Sequence, residues 1–249
     1  MKPILFIADI HLDLASSNIE DSEKNSHFCD FLERAAHVAS ELYILGDLFE
    51  YWIGDDYTKP FTKPLDAIKH AVTSGLKIHI SPGNRDFLLS PDFAEQTGTR
   101  LLDEITITDL NGARTLITHG DYFCTDDPAY MKLRKDFRNK EWQQQFLNMP
   151  LQQRITFAEH ARSQSNSTTT INNTYDINQE SLLQFAEKNR IDQIIYGHIH
   201  RPQIKTIESE NLKIRSICLG DWHPYGKIIS YSPQQTLTDK ISFISSNDI

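Results

Sequence analysis

The chain is short of cysteine, has no excess of positive charge and contains no long apolar run. Each shortage excludes a class of protein. Its three cysteines, Cys29, Cys124 and Cys218, are scattered and odd in number. They form neither a disulfide framework nor a paired-thiolate zinc spacing, which points to reduced thiols in a cytosol. Cys29 and Cys218 sit in apolar runs and are expected in the core. Lys and Arg total 25 against 34 Asp and Glu, a formal net charge of -9, so the basic face of a nucleic-acid binder is missing. No stretch is apolar for long enough to span a bilayer. The N-terminal MKPILFIADIHLD reaches an acidic residue after a run too short for a secretory signal and its cleavage site. There is no internal repeat. What is present is an ordinary globular composition, 39% hydrophobic and 24% charged over 249 residues, enough for one large domain or two small ones.

One pattern recurs along the chain. A short apolar run ends and a side chain able to bind metal follows at once. Residues 4–8 lead to Asp9 and His11, 42–45 to Gly46-Asp47, and 78–80 to Pro82-Gly83-Asn84. Residues 115–118 lead to His119, and 194–196 to Gly197-His198 with His200 beyond. Apolar runs of this length, bounded by Gly and Pro, read as buried strands. Between them Phe28, Phe31, Leu32, Ala35 and Ala39 recur at helical spacing, as do Leu65, Ile68 and Val72. Such alternation predicts a partly parallel sheet whose site lies at the carboxyl ends of its strands. Asn111-Gly112 between two strand-like runs predicts a hairpin. Further strands are expected over 212–219, 228–231 and 241–244. Together these give an α/β (α+β) fold of two packed sheets with helices outside.

Asp9-x-His11 and His198-x-His200 are read as pairs on extended chain, where side chains two apart point alike. Gly46 and Gly83 let the backbone turn sharply before Asp47 and Asn84. The seven donors Asp9, His11, Asp47, Asn84, His119, His198 and His200 mix carboxylate, imidazole and amide. That mixture suits Mn²⁺ or Fe²⁺, admits Zn²⁺ and does not suit Ca²⁺. The remaining histidines lack the strand-end placement and are read as structural or surface residues.

The blocks Asp9-x-His11, Gly46-Asp47, Gly83-Asn84-Arg85-Asp86, His119-Gly120-Asp121 and Gly197-His198-Ile199-His200 resemble the calcineurin-type metallophosphoesterase family. Residues 43–50 with Trp52-Ile53-Gly54-Asp55-Asp56 resemble its branch of UDP-2,3-diacylglucosamine diphosphatases, as do residues 83–89 and Cys124-Thr125-Asp126-Asp127. The likeness runs from residue 3 to about 230. It implies a four-layer αββα sandwich forming a single domain, 1–249, with a helical lid inserted at 128–173. It also implies two divalent ions, most readily Mn²⁺. Asp9, His11, Asp47 and His200 would hold one, and Asp47, Asn84, His119 and His198 the other, with Asp47 bridging. The activity implied is attack of a metal-activated hydroxide on the UMP phosphorus of UDP-2,3-diacylglucosamine, giving UMP and 2,3-diacylglucosamine 1-phosphate for lipid A synthesis. Asp47, Asn84, Arg85 and His119 would be its catalytic residues.

Arg85 stands where many members of the family have a histidine that protonates an alkoxide. A guanidinium stays charged and cannot donate that proton. The leaving group should therefore need no acid, as a phosphate monoester does not. Arg85 would grip the second phosphate as a bidentate donor, or else pair with Asp86. Two rival readings are a phosphoesterase of soluble nucleotide diphosphates or phosphodiesters, and a scaffold of the same fold without catalysis.

Between 128 and 162 lie seven basic residues (Lys132, Arg134, Lys135, Arg138, Lys140, Arg154, Arg162) and three acidic ones, on an otherwise acidic chain. Tyr130, Leu133, Phe137, Trp142 and Phe146 form an apolar stripe over a helix at 128–147, and 150–161 could be a second helix. This segment is read as a lid contacting an anionic membrane surface, with Arg134, Lys135 and Arg138 in the contact. Ser163 to Asn173 reads as polar loop or capping residues. By resemblance Asp127, Ser165, Thr169 and Asn172 would contact substrate, along with Asn84, Arg85 and His198. The family typically has Asn and Lys where Thr169 and Asn172 stand. The protein is expected to be a monomer, cytoplasmic and peripheral on the inner membrane, bound to a lipid-linked sugar nucleotide and to no nucleic acid.

Overall fold

A computed structural model describes residues 2–12, 23–169, 176–222, 226–232 and 241–249, the side chains of 162–169 and of Ile241 excepted. The strands are β1 Ile4–Ile7, β2 Glu41–Leu45, β3 Lys77–Ser81, β4 Arg100–Leu101, β5 Thr106–Leu110, β6 Ala113–Ile117, β7 Gln193–Tyr196, β8 Gln203–Glu208, β9 Lys213–Cys218, β10 Lys227–Tyr231 and β11 Ile241–Ser245. The helices are α1 Glu23–Val38, α2 Thr62–Thr73, α3 Pro91–Thr97, α4 Pro128–Phe137, α5 Lys140–Leu147, α6 Leu151–Thr169 and α7 Gln179–Asn189.

The strands form a six-stranded sheet, β11-β10-β1-β2-β3-β4, and a five-stranded sheet, β5-β6-β7-β9-β8. The pairs β1–β2, β2–β3, β6–β7 and β7–β9 are parallel, because helices or long connections intervene between them. Their residues are apolar on both faces, as a sheet covered on both sides requires. Phe6, Ala8, Leu45 and Ile229 of the first sheet meet Leu110, Ile117, Ile195 and Ile217 of the second in a common buried layer. The outer face of the first sheet packs on α1, α2 and α3 through Phe28, Phe31, Leu32, Ile68 and Phe93. That of the second packs on α7 through Leu182 and Ala186. The four-layer αββα sandwich expected from the sequence is the architecture observed. The hairpin is also found: Asn111 and Gly112 both have positive φ, 55° and 87°, between paired β5 and β6, as a type I′ turn demands.

Three details differ from the sequence reading. The helix expected over 128–147 is two helices, broken at Asn139, whose side chain caps α5 by accepting from Glu141 and Trp142. The segment read as polar loop after Ser163 continues α6 to Thr169. Strand β8 was not anticipated, since at an exposed sheet edge only Ile204 and Ile207 mark it as apolar. Cys218 and Cys124 are buried and Cys29 is half-buried, all three as free thiols. Among the described residues no helix is long and apolar enough to cross a membrane.

Candidate metal centre

The candidate ligands emerge from the carboxyl ends of β1, β2, β3, β6 and β7, but not on extended chain. Asp9, His11, Asp47, His198 and His200 all have left-handed backbone, with φ between 51° and 67°. This corrects the reading of the two x-spaced pairs as strand neighbours: they converge because each ligand sits at a reversal of the chain just past the strand. Left-handed φ is costly for residues other than glycine and persists only where the surroundings impose it. For Asp9, His11 and Asp47 the contacts at hand are backbone bonds that join the loops after β1 and β2, His11 N to Asp47 O at 2.9 Å and Leu12 N to Leu48 O at 2.9 Å. Two glycines allow the close approach. A Cβ on Gly83 would lie 2.2 Å from Asp47 Oδ1, and one on Gly46 2.6 Å from His119 Nδ1.

The side chains gather into two groups. In the first, His200 Nε2 lies 3.4 Å from Asp9 Oδ1 and 3.5 Å from His11 Nε2. Asp9 Oδ1 is buried and accepts no well-formed hydrogen bond, while Asp9 Oδ2 accepts from His198 N at 2.8 Å. In the second, His119 Nε2 lies 2.9 Å from Asn84 Oδ1 and 3.2 Å from His198 Nδ1, and His198 Nδ1 is 3.0 Å from Asn84 Oδ1. Asp47 Oδ2 stands between the groups, 3.8 Å from His11 Nε2 and 3.7 Å from His119 Nε2. Its other oxygen accepts from Arg85 N at 2.8 Å. All seven sequence-derived donors are thus brought together.

The donor arrangement fits a cation. His119 Nδ1 faces the Leu45 carbonyl at 2.9 Å, so that nitrogen carries a proton; Nε2, facing the Asn84 carbonyl oxygen, would offer its lone pair with a cation bound and takes up a second proton without one. Two facing lone pairs at such a distance need a positive charge between or beside them. Ligands at right angles around an ion with bonds of about 2.1 Å lie about 3 Å apart, the spacing of Asn84, His119 and His198 in the second group. The titration tendencies agree. Burial opposes a charge on His119, yet the Asp47, Asp9 and Asp121 carboxylates outweigh it and raise the imidazole to about 9. Burial and His119 together push His198 down to about 4. The site attracts positive charge, and two adjacent groups cannot both supply it as protons.

Residues outside the sequence-derived set complete the surroundings. Asp86, fully buried, accepts from the backbone amides of Gly83 at 2.8 Å, Leu48 at 2.7 Å, Asp47 at 3.3 Å and Phe49 at 3.4 Å. It stitches the Asp47 loop to the Asn84 loop. Its position after Arg85 in the Gly83–Asp86 block was the signal available for it. The Arg85 guanidinium lies 3.8 Å from Glu50. Asp121, also fully buried behind His119, accepts from Tyr130 Oη at 2.8 Å and Arg134 Nε at 2.9 Å. Arg134 further pairs with Glu104, and Arg138 donates to the Gly83 carbonyl at 3.0 Å.

These contacts correct the reading of Arg134 and Arg138 as membrane-facing. Helix α4 turns both inward and clamps the loops that carry Asn84 and His119, while Lys132 and Lys135 remain exposed. Arg154 is likewise buried, bonded to Asp56 and to the Ile53 carbonyl at 2.6 Å. Asp127 caps α4 through Tyr130 N at 2.9 Å. Ser165 and Thr169 lie on α6 with side chains outside the described set; Asn172 and His223 lie outside the described residues.

Fold and donor set together define a metal-dependent phosphoesterase, and the sequence agrees. The chain belongs to the calcineurin-like phosphoesterase family, whose sequence model matches residues 2–202. Within that class it is 39% identical over 240 residues to the UDP-2,3-diacylglucosamine hydrolase of Xanthomonas campestris pv. campestris, covering 90% of this chain and 93% of that protein. It is 37% identical over 248 residues to the UDP-2,3-diacylglucosamine hydrolase of Stenotrophomonas maltophilia, covering 96% and 98%. The hydrolase of the same name from Yersinia enterocolitica is 36% identical over 242 residues, covering 96% and 99%. Family and donor set support divalent metal use.

Proposed function

We propose that this chain hydrolyses UDP-2,3-diacylglucosamine to UMP and 2,3-diacylglucosamine 1-phosphate, a step of lipid A synthesis. The observation that carries the proposal is the pairing of two donor groups around Asp47 Oδ2 with an arginine, Arg85, directly after Asn84. The names of the relatives supply the substrate.

In this reading Asp9, His11, Asp47 and His200 hold one divalent ion and Asp47, Asn84, His119 and His198 a second, with Mn²⁺ favoured by the mixed donors. When bound, such ions polarise phosphoryl oxygens and provide a nucleophilic water at neutral pH. The chain's own residues do the rest. Asp47 joins the two groups through one oxygen while Arg85 N orients the other. Asn84 and His198 line the position of the attacked phosphoryl group. The Arg85 side chain holds the second phosphate, and its fixed charge stabilises the departing sugar phosphate, which needs no proton. Water adds to the UMP phosphorus and gives up a proton to solvent, the anhydride P–O bond breaks, and the bridging oxygen leaves on the sugar 1-phosphate.

Residues 128–173 serve as a lid within a single domain spanning 1–249. Five of the eight exposed large apolar side chains among the described residues, Leu133, Leu147, Met149, Leu151 and Phe157, lie on it. With exposed Lys132, Lys135 and Lys140 they make an apolar and basic surface suited to the anionic inner face of a membrane, where a diacylated substrate resides. Asp127, Ser165, Thr169 and Asn172 are the lid-side substrate contacts in this reading, and the protein works as a monomer. The test is UMP release from the diacylated sugar nucleotide by metal-stripped protein before and after Mn²⁺ is restored. Release that depends on Mn²⁺ supports the reading. Equal or faster hydrolysis of soluble nucleotide diphosphates would favour the soluble-substrate alternative.

A further inference from the structure

We infer that Glu50 is a positioning residue that couples the first metal group to the phosphate-gripping arginine, one carboxylate oxygen serving His11 and the other Arg85. This rests on the metal and Arg85 assignments proposed above.

The backbone brings Glu50 there. The loop after β2 is zipped to the loop after β1 by Asp9 N to Gly46 O, His11 N to Asp47 O, Leu12 N to Leu48 O and Glu50 N to Leu12 O, at 2.9–3.2 Å. Leu12 and Phe49 form a parallel bridge within it. Glu50 is therefore fixed beside the His11 ring, with its side chain only 12% exposed. Glu50 Oε2 lies 3.2 Å from His11 Nδ1, and Oε1 lies 3.8 Å from Arg85 Nη1.

The two ring nitrogens of His11 have distinct surroundings. Nε2 faces His200 Nε2 at 3.5 Å and Asp47 Oδ2 at 3.8 Å, so it is the atom directed into the donor group. Nδ1 points away from it and is buried; the Glu50 carboxylate 3.2 Å away is within ion-pair distance but is not aligned as a hydrogen bond in this structure. An imidazole that ligates through Nε2 carries its proton on Nδ1, and a carboxylate beside that nitrogen fixes the tautomer and strengthens the donor. On the other side, Arg85 Nη1 lies 3.8 Å from Glu50 Oε1. Anchoring it to a carboxylate reduces the motion lost when it binds phosphate. One glutamate thereby sets both the metal ligand and the substrate cation.

Three variants separate the two roles, with Mn²⁺ alone as the binding probe and melting temperature as the control for folding. Glu50→Ala should weaken Mn²⁺ binding by about 10-fold or more, as loss of an outer carboxylate partner does, and should raise KM for the diphosphate substrate. Glu50→Gln keeps an acceptor for His11 but loses the charge facing Arg85. It should bind Mn²⁺ close to the native affinity while KM rises roughly tenfold, the effect of one weakened charge-assisted contact. In an Arg85→Ala background, Glu50→Gln should raise KM no further. His11→Ala is the reference: if it too leaves Mn²⁺ binding intact, the metal assignment fails rather than the role of Glu50. If His11→Ala weakens binding and a folded Glu50→Ala does not, Glu50 does not position His11. If Glu50→Gln raises KM equally with and without Arg85, the coupling is refuted. Should Glu50→Ala not fold, Glu50→Asp, one methylene short of reaching both partners, takes its place with the same expectation for Mn²⁺.

Discussion

Removing the guanidinium of Arg134 tests whether helix α4 is a detachable cover or part of the catalytic frame. Its side chain is 10% exposed, and its Nε donates to the fully buried Asp121 at 2.9 Å while Nη2 reaches Glu104. Burial alone would raise the Asp121 carboxyl, but His119 and Arg134 hold it well below the usual carboxylate range, so it is ionised and depends on its cations. Breaking a buried ion pair from one side costs about 3–5 kcal/mol. Tyr130 and, at 3.8 Å, Arg138 remain on Asp121, which brings the expected loss for Arg134→Ala to about 2–3 kcal/mol. For a domain of this size that is a fall in melting temperature of roughly 5–10 °C. Asp121 also lies within electrostatic reach of His119 and His198, and the Tyr130 ring is 5.8 Å from that of His198. Hydrolysis of a small chromogenic phosphodiester should therefore fall by about tenfold or more, although that substrate has no acyl chain. The assays are a thermal melt and steady-state hydrolysis of the diester with saturating Mn²⁺. Unchanged melting and unchanged hydrolysis would show that α4 covers the site without building it.

Other outcomes follow from the same geometry. Asp47→Ala should lose most bound Mn²⁺ and most activity, measured by metal analysis and UMP release; substantial turnover after chelation would rule out a bridging role. In metal-free protein, His119 is raised from 6.5 to about 9, so the stability it contributes should be complete below pH 6.5 and be lost as pH rises through 9. Denaturant titrations across that range should show the decline, and saturating Mn²⁺ should abolish it; a pH-independent metal-free protein would contradict the account of the site. Reversing Lys132, Lys135 and Lys140 to Glu should weaken binding to anionic vesicles, by on the order of 1 kcal/mol per residue near the surface, with hydrolysis of the small diester retained. Vesicle binding indifferent to the reversal would remove the membrane reading of the lid.

The strands that carry the candidate site were legible because buried parallel strands are short apolar runs, and a side chain able to bind metal follows each one at once. The seven donors could be chosen for the same reason. How they converge was not legible. Alternation along a strand accounts for neither Asp9 with His11 nor His198 with His200, since all four have left-handed φ past the strand ends. Charge counting also failed over 128–162. It could not separate Lys132, which faces solvent, from Arg134, whose partners Asp121 and Glu104 lie in distant segments. Glu50 and Asp86 were visible as letters beside the ligands, but their roles depend on which atoms the folded loops bring near. The helical backbone of 163–169 had no local signal, because Ser, Thr and Asn there extend a helix begun at Leu151.

The most direct test of the proposed activity is turnover of UDP-2,3-diacylglucosamine in ¹⁸O-water with Mn²⁺, both products being weighed by mass spectrometry. Attack on the UMP phosphorus, as proposed, expels the sugar 1-phosphate with the bridging oxygen, so one ¹⁸O should appear in UMP and none in the 2,3-diacylglucosamine 1-phosphate. Label in the sugar phosphate, or no cleavage of this substrate by folded and metal-loaded protein, would contradict the account.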